Sequence, residues 1–373
     1  MIGAGLLGLS SAWALARRGW DVVVLEAAGA PGHERSGSKG DARIFRLGYP
    51  EAHDVEMALL ALGRWRDLEG ATGRKLLRVT GQVTLGDGDA QHAIAAAMTA
   101  AGAPVEEIPA TAAAQRFPGL VLSGPILLEP DSGVLAADDC LRALLQVGGF
   151  ELRTGTLVTS VRQSSGAGTV QTADGTSIPA DVVVVCAGPH SLGLLGLHAP
   201  AAGGPSLPQV AYFAPRTGAL PPVFMEWGND MVYGLPVLGH GPHAGSYKVA
   251  RHAPGPGLPP FDPADPAPLA ADDPDQLAQL TGAVARLLPT LDPEPVATER
   301  CVYDNSADTH FVLDRVGHVV VGCGTSGHAF KFGPLLGELL ADLAENRQPA
   351  VDLTRFGLHR GAPPTGRPPT TTR

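Results

Sequence analysis

Cysteine and aromatic residues are scarce in this chain of 373 residues, which has four cysteines and an aromatic content of 5%. Cys140, Cys186, Cys301 and Cys323 form no Cys-x-x-Cys pair and no zinc-binding spacing, so we expect no metal site. A disulfide framework is not expected in a chain of this length. Together these absences favour a reducing, cytoplasmic environment.

Basic residues and long apolar runs are also in short supply. The chain has 27 Lys and Arg against 37 Asp and Glu, a net charge of −10, so we expect no nucleic-acid partner. No run reaches the roughly 18 apolar residues needed to cross a bilayer, so we expect no membrane span. A signal peptide is a less favoured interpretation of the apolar start, because no basic residue precedes it and Val22–Leu25 continues into a strand.

Proline and glycine, by contrast, are abundant, with 34 and 48 residues. The proline-rich stretches fall at 253–268, which we interpret as a surface loop, and at 361–373, which we interpret as a flexible tail. The length of the chain favours two domains.

Two glycine-rich segments lie at opposite ends of the sequence. They are Gly3-Ala4-Gly5-Leu6-Leu7-Gly8 and Gly322-Cys323-Gly324-Thr325-Ser326-Gly327. Each follows an apolar, β-prone stretch and precedes a segment with helical character. The amino end of a helix offers free N–H groups and a positive dipole end to a phosphate. The two segments therefore predict a long, doubly phosphorylated cofactor.

The first thirty residues predict a nucleotide-binding β-α-β unit. A helix is expected over Leu9–Arg18 and a strand over Asp21–Leu25, which ends at Glu26. The three glycines permit, in order, a tight turn, close approach to a pyrophosphate, and close packing of helix on strand, and the acid accepts bonds from ribose hydroxyls. NAD and FAD enzymes share this pattern, so it does not choose between them.

The predicted first strand is unusually short. Only Met1 and Ile2 precede the first glycine, against about five residues in an ordinary strand. Either the strand is stunted or the natural start lies upstream.

Six further motifs in order make the sequence more specific. They are Ser36-Gly37-Ser38-Lys39-Gly40-Asp41-Ala42-Arg43-Ile44-Phe45-Arg46, Glu129-Pro130-Asp131-Ser132-Gly133-Val134-Leu135, Asp181–His190, Tyr247-Lys248-Val249-Ala250-Arg251-His252, Arg300-Cys301-Val302-Tyr303 and Ser326-Gly327-His328-Ala329-Phe330-Lys331-Phe332. Together they resemble the monomeric sarcosine oxidase and N-methyltryptophan oxidase family, within the D-amino-acid-oxidase-like flavoproteins. The resemblance runs from residue 1 to about 358.

The resemblance implies an α/β fold with an α+β second domain. A Rossmann-type FAD-binding domain is expected at 1–77, 136–199 and 308–360, and a mixed-sheet substrate domain at 78–135 and 200–307. Continuous apolar runs at Val182–Val185 and Val319–Val321 suit parallel strands covered on both faces. Strands of the second domain are expected at Gly81–Leu85, Gln209–Ala214 and Met231–Pro236.

The family also implies which residues bind FAD. Cys301 would carry the flavin through an 8α-S-cysteinyl thioether; the alternative is a small buried residue, as most free cysteines are. Cys186 and Cys323 are assigned to the core, and Cys140 to a helix. The expected cofactor contacts are Gly3, Gly5, Leu6, Leu7, Gly8, Glu26, Ser38, Arg43, Val158, Ala187, Gly188, Gly324, Gly327, His328 and Lys331.

Arg46 and Lys331 resemble the substrate-carboxylate clamp of this family. A desolvated carboxylate needs fixed positive partners, and an α-amino acid carries one. The alternatives are a surface ion pair for Arg46 and a solvated helix position for Lys331.

The resemblance assigns catalytic roles to four more residues. Lys248 would promote the reaction of reduced flavin with oxygen, the alternative being an exposed strand lysine; Arg43 would stabilise anionic reduced flavin. His252 and Tyr233 would orient the amine or a bound water. Tyr303 fits either the pocket wall or the core. We assign no role to the remaining lone histidines His240, His243 and His318.

The resemblance implies a monomeric, FAD-dependent amine oxidase that acts on a small secondary or cyclic amino acid with O2. The alternatives are a flavin dehydrogenase that does not use oxygen, a tailoring oxidase or dehydrogenase for a pipecolate-like imino acid, a flavin-binding scaffold without turnover, and an NAD enzyme. Side chains around Phe224–Trp227 and Tyr233 would discriminate between substrates; Glu226 and Trp227 fit a modified pocket or simple surface exposure.

Overall fold

A computed structural model describes residues 1–164, 166–197, 204–216, 219–228, 231–253, 255–265 and 270–360 of the chain. The predicted tail, 361–373, lies outside the described residues. The helices of the described part are Leu6–Ala16 (α1), Ala52–Thr72 (α2), Gly88–Ala100 (α3), Ala110–Arg116 (α4), Ala137–Val147 (α5), Ser191–Leu194 (α6), Pro274–Leu287 (α7) and Gly333–Ala344 (α8).

The strands of the described part follow in chain order. They are Val23–Leu25 (β1), Ala42–Phe45 (β2), Leu77–Val79 (β3), Gln82–Gly86 (β4), Glu106–Pro109 (β5), Pro125–Glu129 (β6), Gly133–Ala136 (β7), Glu151–Arg153 (β8), Val158–Gln163 (β9), Gly168–Thr172 (β10), Ser177–Ala180 (β11), Val183–Val185 (β12), Gly204–Ser206 (β13), Gln209–Pro215 (β14), Val223–Trp227 (β15), Val232–Pro236 (β16), Tyr247–Arg251 (β17), Leu291–Arg300 (β18), Tyr303–Asn305 (β19), Val312–Val316 (β20) and Val319–Cys323 (β21).

A mostly parallel sheet forms the first half of the fold. Strands β1 and β8 pair in parallel, as do β12 and β21, and β20 adds an antiparallel edge. Ile2 joins the two parallel pairs through bridges to Leu25 and Val185. The glycine turn that follows Ile2 therefore lies at the carboxyl edge of the sheet, where nucleotides bind in α/β folds.

This sheet is covered on both faces, as its apolar runs predict. Helices α1, α2, α5 and α8 pack together on one side, in the core that contains Leu9, Val184 and Leu336. The antiparallel strands β9, β10 and β11 cover the other side through Val158 and Val170. The central strands β12 and β21 are buried along their whole length because neither face of the sheet meets water there.

Helix α1 begins three residues earlier than expected and ends at Ala16 rather than Arg18. Gly5 is extended, with φ −71° and ψ −179°, and caps a helix that starts at the next residue. Gly19, at φ +89°, turns the chain towards β1. The prediction of Leu9–Arg18 missed these ends because a cap depends on backbone angles rather than on composition.

An eight-stranded mixed sheet forms the second half, in the order β18-β14-β17-β16-β15-β4-β6-β5. One face packs on α7 and α4 through a core that includes Phe224, Tyr247 and Val284. The opposite face contacts β2 and β7 through Ile44 and Val134. Strands β4, β14 and β16 match their expected positions within one residue at each end.

The chain passes more than once between the two sheets, and the residue bounds of the two domains stay a prediction. Within the described ranges, no helix combines the length and the apolar character that crossing a bilayer requires.

Candidate active site

A cavity of about 650 Å³ lies between the two main sheets. All of the site residues predicted from the sequence line this cavity, except Gly8 and Gly324. The lining members are Gly3, Gly5, Leu6, Leu7, Glu26, Ser38, Arg43, Arg46, Val158, Ala187, Gly188, Tyr233, Lys248, His252, Cys301, Gly327, His328 and Lys331. Segments far apart in the chain thus converge on one space.

The first glycine segment places the amino end of α1 at one end of this cavity. Gly3 adopts φ +91°, a conformation that favours glycine. A Cβ at Gly8 would collide with the Gly3 carbonyl, which explains why Gly8 packs behind the cavity rather than lining it. A Cβ at Gly5 would come within 3.1 Å of the Ser38 hydroxyl oxygen. The backbone is therefore open to a ligand only because these positions lack side chains.

Glu26 lies buried at the end of β1, beside this turn. Its Oε2 accepts a hydrogen bond of 2.8 Å from the Ala4 N–H, and Oε1 accepts one of 2.9 Å from the Ala28 N–H. His33 Nε2 lies 3.6 Å from Oε1. The carboxylate is thus fixed at the cavity edge.

The second glycine segment is followed by helical structure, as expected, but only after a tight turn: a short 3₁₀ helix covers Phe330–Phe332 and runs into α8. Gly324, Ser326 and Gly327 all have positive φ, which no right-handed helix accepts, and α8 begins only at Gly333. The Gly324 N–H donates 2.7 Å to Oδ2 of Asp304, so a side chain of the protein occupies this amide. The tight turn instead carries His328 and Lys331 to the cavity wall.

Cys301 follows β18 and lies at the cavity wall, only 8% exposed. Its backbone N–H donates 2.9 Å to the Pro208 carbonyl. Arg43 and Lys248 lie near enough for their charges to interact with a thiolate here. The thiol therefore faces the cavity in a positive environment.

The other three cysteines are less suited to reaction with a ligand. Cys140 and Cys323 do not line the cavity, and burial raises the pKa of each thiol well above its ordinary value. Cys186 reaches the cavity, but burial raises its thiol pKa to about 12.

Arg46 and Lys331 place two buried cations on the same wall. The Arg46 guanidinium carbon lies 4.5 Å from the centre of the Tyr49 ring and 5.6 Å from that of Trp227. Lys331 Nζ lies 6.0 Å from the Tyr49 ring and donates 2.8 Å to the His328 carbonyl. Within the described residues, neither cation forms an ion pair with a carboxylate.

Burial and the repulsion between positive charges lower the pKa values of Lys331 and His252 in this cluster. Burial, with a contribution from Arg46, lowers the pKa of Lys331 well below its ordinary value. Burial, Arg46 and Lys331 lower the pKa of His252 to about 3, so this imidazole is neutral at physiological pH. Arg46 Nη1, Tyr49 Oη and Trp227 Nε1 are buried and make no hydrogen bond of normal geometry with a described residue, although Arg46 and Tyr49 lie close enough to interact. An anion is the ligand that such a cluster favours.

Supporting hydrogen bonds fix the backbone beside both cations. The buried Glu129 carboxylate accepts from the Gly48 N–H at 2.9 Å, and Ser132 Oγ accepts from the Leu47 N–H at 3.0 Å, just beyond Arg46. Trp65 Nε1 donates 2.7 Å to the carbonyl of Lys331. The Glu-Pro-Asp-Ser motif thus anchors the chain that carries Arg46.

Lys248, on β17, is buried at the cavity wall. Burial and the neighbouring Arg43 lower the pKa of its ammonium to about 8, an effect that Cys301 and Glu299 partly offset. The exposed strand position considered above is therefore wrong for this lysine. Tyr303 lines the cavity as well, which supports the pocket-wall interpretation.

His328 is anchored by the protein. Its Nε2 lies 2.9 Å from the Thr309 carbonyl, and its ring packs 4.7 Å from that of Phe311. Burial and Lys331 lower its pKa well below the ordinary value.

Part of the proline-rich stretch is a wall of the cavity: residues 255–265 are exposed or half-buried, as a surface loop predicts, and they also face the cavity. Residues 254 and 266–268 of the stretch lie outside the described residues. Leu258, Pro260, Phe261 and Pro263 line the cavity beside Glu26. One local signal for this role was present, since Phe261 is the only aromatic residue of the sequence between 253 and 268.

Two contacts hold this segment in place. The Phe261 ring packs edge-on against His190 at 4.7 Å. Arg35 donates 2.8 Å to the Asp262 carbonyl and forms an ion pair of 2.6 Å with Asp265. Sequence reasoning missed Arg35 and His190, which also line the cavity.

The run Phe224–Trp227 contributes less than expected to the wall. Met225 lines the cavity, whereas Phe224 packs on the opposite face of the sheet. Glu226 pairs with Arg286 at 2.6 Å on the protein surface. Trp227 is not among the lining residues, but its ring contacts Arg46.

The match to known proteins agrees with this geometry. The model of the DAO, or FAD dependent oxidoreductase, family matches residues 1–343. The chain belongs to this family. It is 32% identical to peroxisomal sarcosine oxidase from Homo sapiens, over 96% of this chain and 95% of the relative. It is 27% identical to monomeric sarcosine oxidase from a Bacillus species, over 97% and 95%, and 28% identical to N-methyl-L-tryptophan oxidase from Citrobacter koseri, over 96% and 98%.

Solved structures confirm the α/β, Rossmann-type fold of this FAD-dependent oxidoreductase. NikD, an unusual amino acid oxidase essential for nikkomycin biosynthesis, superimposes in its open form with a TM-score of 0.78 at 30% identity, over 95% of each chain. Glycine oxidase from Geobacillus kaustophilus superimposes with a TM-score of 0.79 at 22% identity, over 97% of this chain and 98% of that one, and shows the fold alone.

Proposed function

We propose that this protein is an amine oxidase that oxidises the C–N bond of a small secondary (N-methyl) or cyclic amino acid with O2. Membership of the FAD-dependent family supports the chemistry. One structural observation carries the substrate class: Arg46 and Lys331 are buried on one cavity wall, and no described carboxylate pairs with them. An amino acid brings the missing carboxylate.

The residues present fit FAD. The glycine cradle at Gly3 and Gly5 lets a pyrophosphate approach the amino end of α1, where the Leu6 N–H donates 2.9 Å to Ser38 Oγ, and Glu26 is held where a ribose would lie. When bound, FAD supplies the redox step, taking two electrons and two protons in sum from the substrate CH–NH unit and delivering them to O2, which yields an imine and H2O2. The cavity residues bind, orient and neutralise charge.

Substrate orientation falls to the cation pair. The Arg46 fork and the Lys331 ammonium bind the carboxylate from one side, which directs the amine of the substrate into the cavity. His252 is neutral and lines the same cavity, so it accepts or donates a hydrogen bond there without competing for the carboxylate. Tyr233 offers a hydroxyl in the same space.

We propose that Cys301 is the attachment point of the flavin. Of the four cysteines, it is the thiol that combines a cavity position with two neighbouring cations, Arg43 and Lys248. Acid precipitation of the purified protein tests this proposal. Yellow colour is expected in the pellet, and colour left entirely in the supernatant contradicts a covalent bond.

We propose that Lys248 promotes the use of oxygen. Reduction of O2 develops negative charge, and a fixed ammonium at the cavity wall stabilises it. Lys248→Met is expected to slow reoxidation by O2 far more than anaerobic reduction by substrate in stopped-flow experiments. Equal losses in both half-reactions contradict the assignment.

The activity itself is tested with a panel of N-methyl and cyclic amino acids under peroxide detection. Substrate-dependent peroxide is expected. Bleaching by substrate without reoxidation in air instead identifies a dehydrogenase, and a yellow protein that no amine bleaches identifies a scaffold.

The likeness to NikD, an amino acid oxidase of a biosynthetic route, at 30% identity favours a second candidate, a tailoring oxidase. The pipecolate-like imino acid considered above is the substrate that we test for it. A strong preference for cyclic over N-methyl substrates in the same panel supports this candidate. We further propose a cytoplasmic monomer; four of the curated relatives are named monomeric sarcosine oxidase.

A further inference from the structure

Glu299 lies on the same sheet face as Lys248, two residues before Cys301. Strand β14 is flanked by β17 and β18, with Tyr212 opposite both Lys248 and Ala297, and Val210 opposite Glu299. Side chains two residues apart on a strand share a face. Lys248, Tyr212 and Glu299 therefore project from one surface of three adjacent strands.

Tyr212 connects the two charged groups. Its hydroxyl donates 2.7 Å to Glu299 Oε2, and Lys248 Nζ lies 5.6 Å from the centre of its ring. The His243 ring stacks on the Tyr212 ring, with the two ring centres 3.9 Å apart, and His243 Nε2 lies 3.5 Å from Glu299 Oε1. The backbone N–H of His243 donates 2.8 Å to Asp41 Oδ2, which fixes the turn. Tyr212 and His243 thus hold the Glu299 carboxylate in place on the sheet face that carries Lys248.

The surroundings of Lys248 are otherwise unfavourable to a positive charge. The ammonium is buried, and it forms no ion pair closer than 4.0 Å with a carboxylate of the described residues. The groups whose charges face this site come from every packed element: Arg43 from β2, Lys39 and Asp41 from the preceding turn, His243 from the turn before β17, Tyr212 from β14, Tyr233 from β16, Glu299 from β18, and Cys301. Glu299 and Asp41 are the carboxylates in this set.

We propose that Glu299 is a positioning residue for Lys248: its carboxylate, held by the Tyr212 hydroxyl, is the counter-charge that keeps the ammonium protonated at the cavity wall. The contribution of Glu299 to catalysis rests on the proposed function, in which Lys248 promotes the reaction with oxygen. Glu299 itself does not line the cavity and acts only through the lysine.

Ionisation agrees with this geometry. Burial alone would raise the pKa of Glu299, but Lys248, the Tyr212 hydroxyl, Lys39 and Arg43 hold it below the ordinary value, so the group is anionic at neutral pH. The pKa of Lys248 is about 8, close enough to neutrality that loss of one supporting charge changes its protonation.

Lysine-specific ¹³C labelling of the full-length, flavin-containing protein tests the proposal. The chain has only Lys39, Lys75, Lys248 and Lys331, so four ε-methylene signals are expected, and Lys248→Met identifies the relevant one. Glu299→Gln should lower the pKa of Lys248 by about one unit or more, the shift expected for removal of a unit charge several ångströms away. Glu299→Asp keeps the charge and should restore most of the pKa.

Two further variants make the result decisive. Glu294→Gln removes the same charge from an exposed position on the same strand and should leave the Lys248 signal unchanged. Tyr212→Phe removes the hydrogen bond that holds the carboxylate and should lower the Lys248 pKa by less than Glu299→Gln does. It also provides the test if Glu299→Gln does not fold.

An unshifted Lys248 titration in Glu299→Gln, or in Tyr212→Phe where the first variant does not fold, overturns the proposal. The readout does not depend on the oxidase reaction. A shifted titration in a protein whose oxygen reaction is insensitive to Lys248→Met would leave this inference standing and refute the oxygen role instead.

Discussion

Replacement of Arg46 by Met should weaken substrate binding and at the same time raise the free energy of unfolding. Arg46 is 6% exposed and lies in a cluster with Lys331, whose pKa is lowered by burial and by the charge of Arg46. In the ligand-free protein this charge has no carboxylate partner among the described residues. Its removal therefore relieves desolvation and repulsion, while the substrate loses its main counter-charge.

The two effects have different magnitudes. Loss of one member of a buried, hydrogen-bonded charge pair costs about 3–4 kcal/mol of binding, which corresponds to a fall in kcat/KM of about 10²- to 10³-fold. Relief of an unpaired buried charge should raise the free energy of unfolding by at least about 1 kcal/mol. In a protein of this size that is a rise in Tm of about 1–3 °C.

Steady-state peroxide assays and differential scanning calorimetry measure the two quantities on the same preparation. Arg66→Met is a matched control, because Arg66 lies exposed on α2 and pairs with Glu69 away from the cavity. It should change neither quantity appreciably. An Arg46→Met protein that keeps its kcat/KM, or that melts well below the parent, would refute the reasoning.

Three further outcomes are expected. Cys301→Ser should bind FAD but release it on acid precipitation, whereas Cys186→Ser should keep the colour in the pellet. The affinity for a carboxylate ligand should be constant at pH values below the lowered pKa of free Lys331. Above that pKa the affinity should fall by at most about tenfold per pH unit, because binding raises the pKa of Lys331 and takes up a proton. Calorimetry in buffers of different ionisation enthalpy measures this proton uptake. Phe261→Ala in the Cys301→Ser background should weaken FAD binding about tenfold by flavin fluorescence, since an aromatic contact of about 1–1.5 kcal/mol is lost.

Each of these has a clear contrary result. Free flavin from the parent protein would contradict the first, and carboxylate binding without proton uptake at any pH would contradict the second. Unchanged FAD affinity in Phe261→Ala would show that residues 255–265 do not contact the cofactor.

Local sequence patterns predicted the framework of this fold well. Apolar runs such as Val319–Val321 identify buried parallel strands because the periodicity of burial is a local property. The glycine turn at Gly3 and the acid at Glu26 follow from fixed spacing within one β-α-β unit. These features need no knowledge of the rest of the molecule.

Features that depend on contacts between distant segments were not predictable in the same way. No local sequence pattern shows that Asp304 would accept a hydrogen bond from the Gly324 N–H, or that Phe261 would line the cavity. Glu299 and His243 reach the back of Lys248 only because β18, β14 and β17 are neighbours. Proline content indicated an irregular segment at 253–268 but not its location.

Neighbouring side chains of β17 point to opposite faces of the sheet, and this disfavours a wrong register of the strand during folding. Tyr247 points into the apolar core, where its hydroxyl donates 2.6 Å to the Pro222 carbonyl, while the next residue, Lys248, points into the cavity. A slip of this strand by one position would exchange them, forcing an ammonium into a hydrocarbon environment and an aromatic ring into a polar one. Misaligned chains would thus be disfavoured by the energetics of the sheet itself, before any cofactor or substrate arrives.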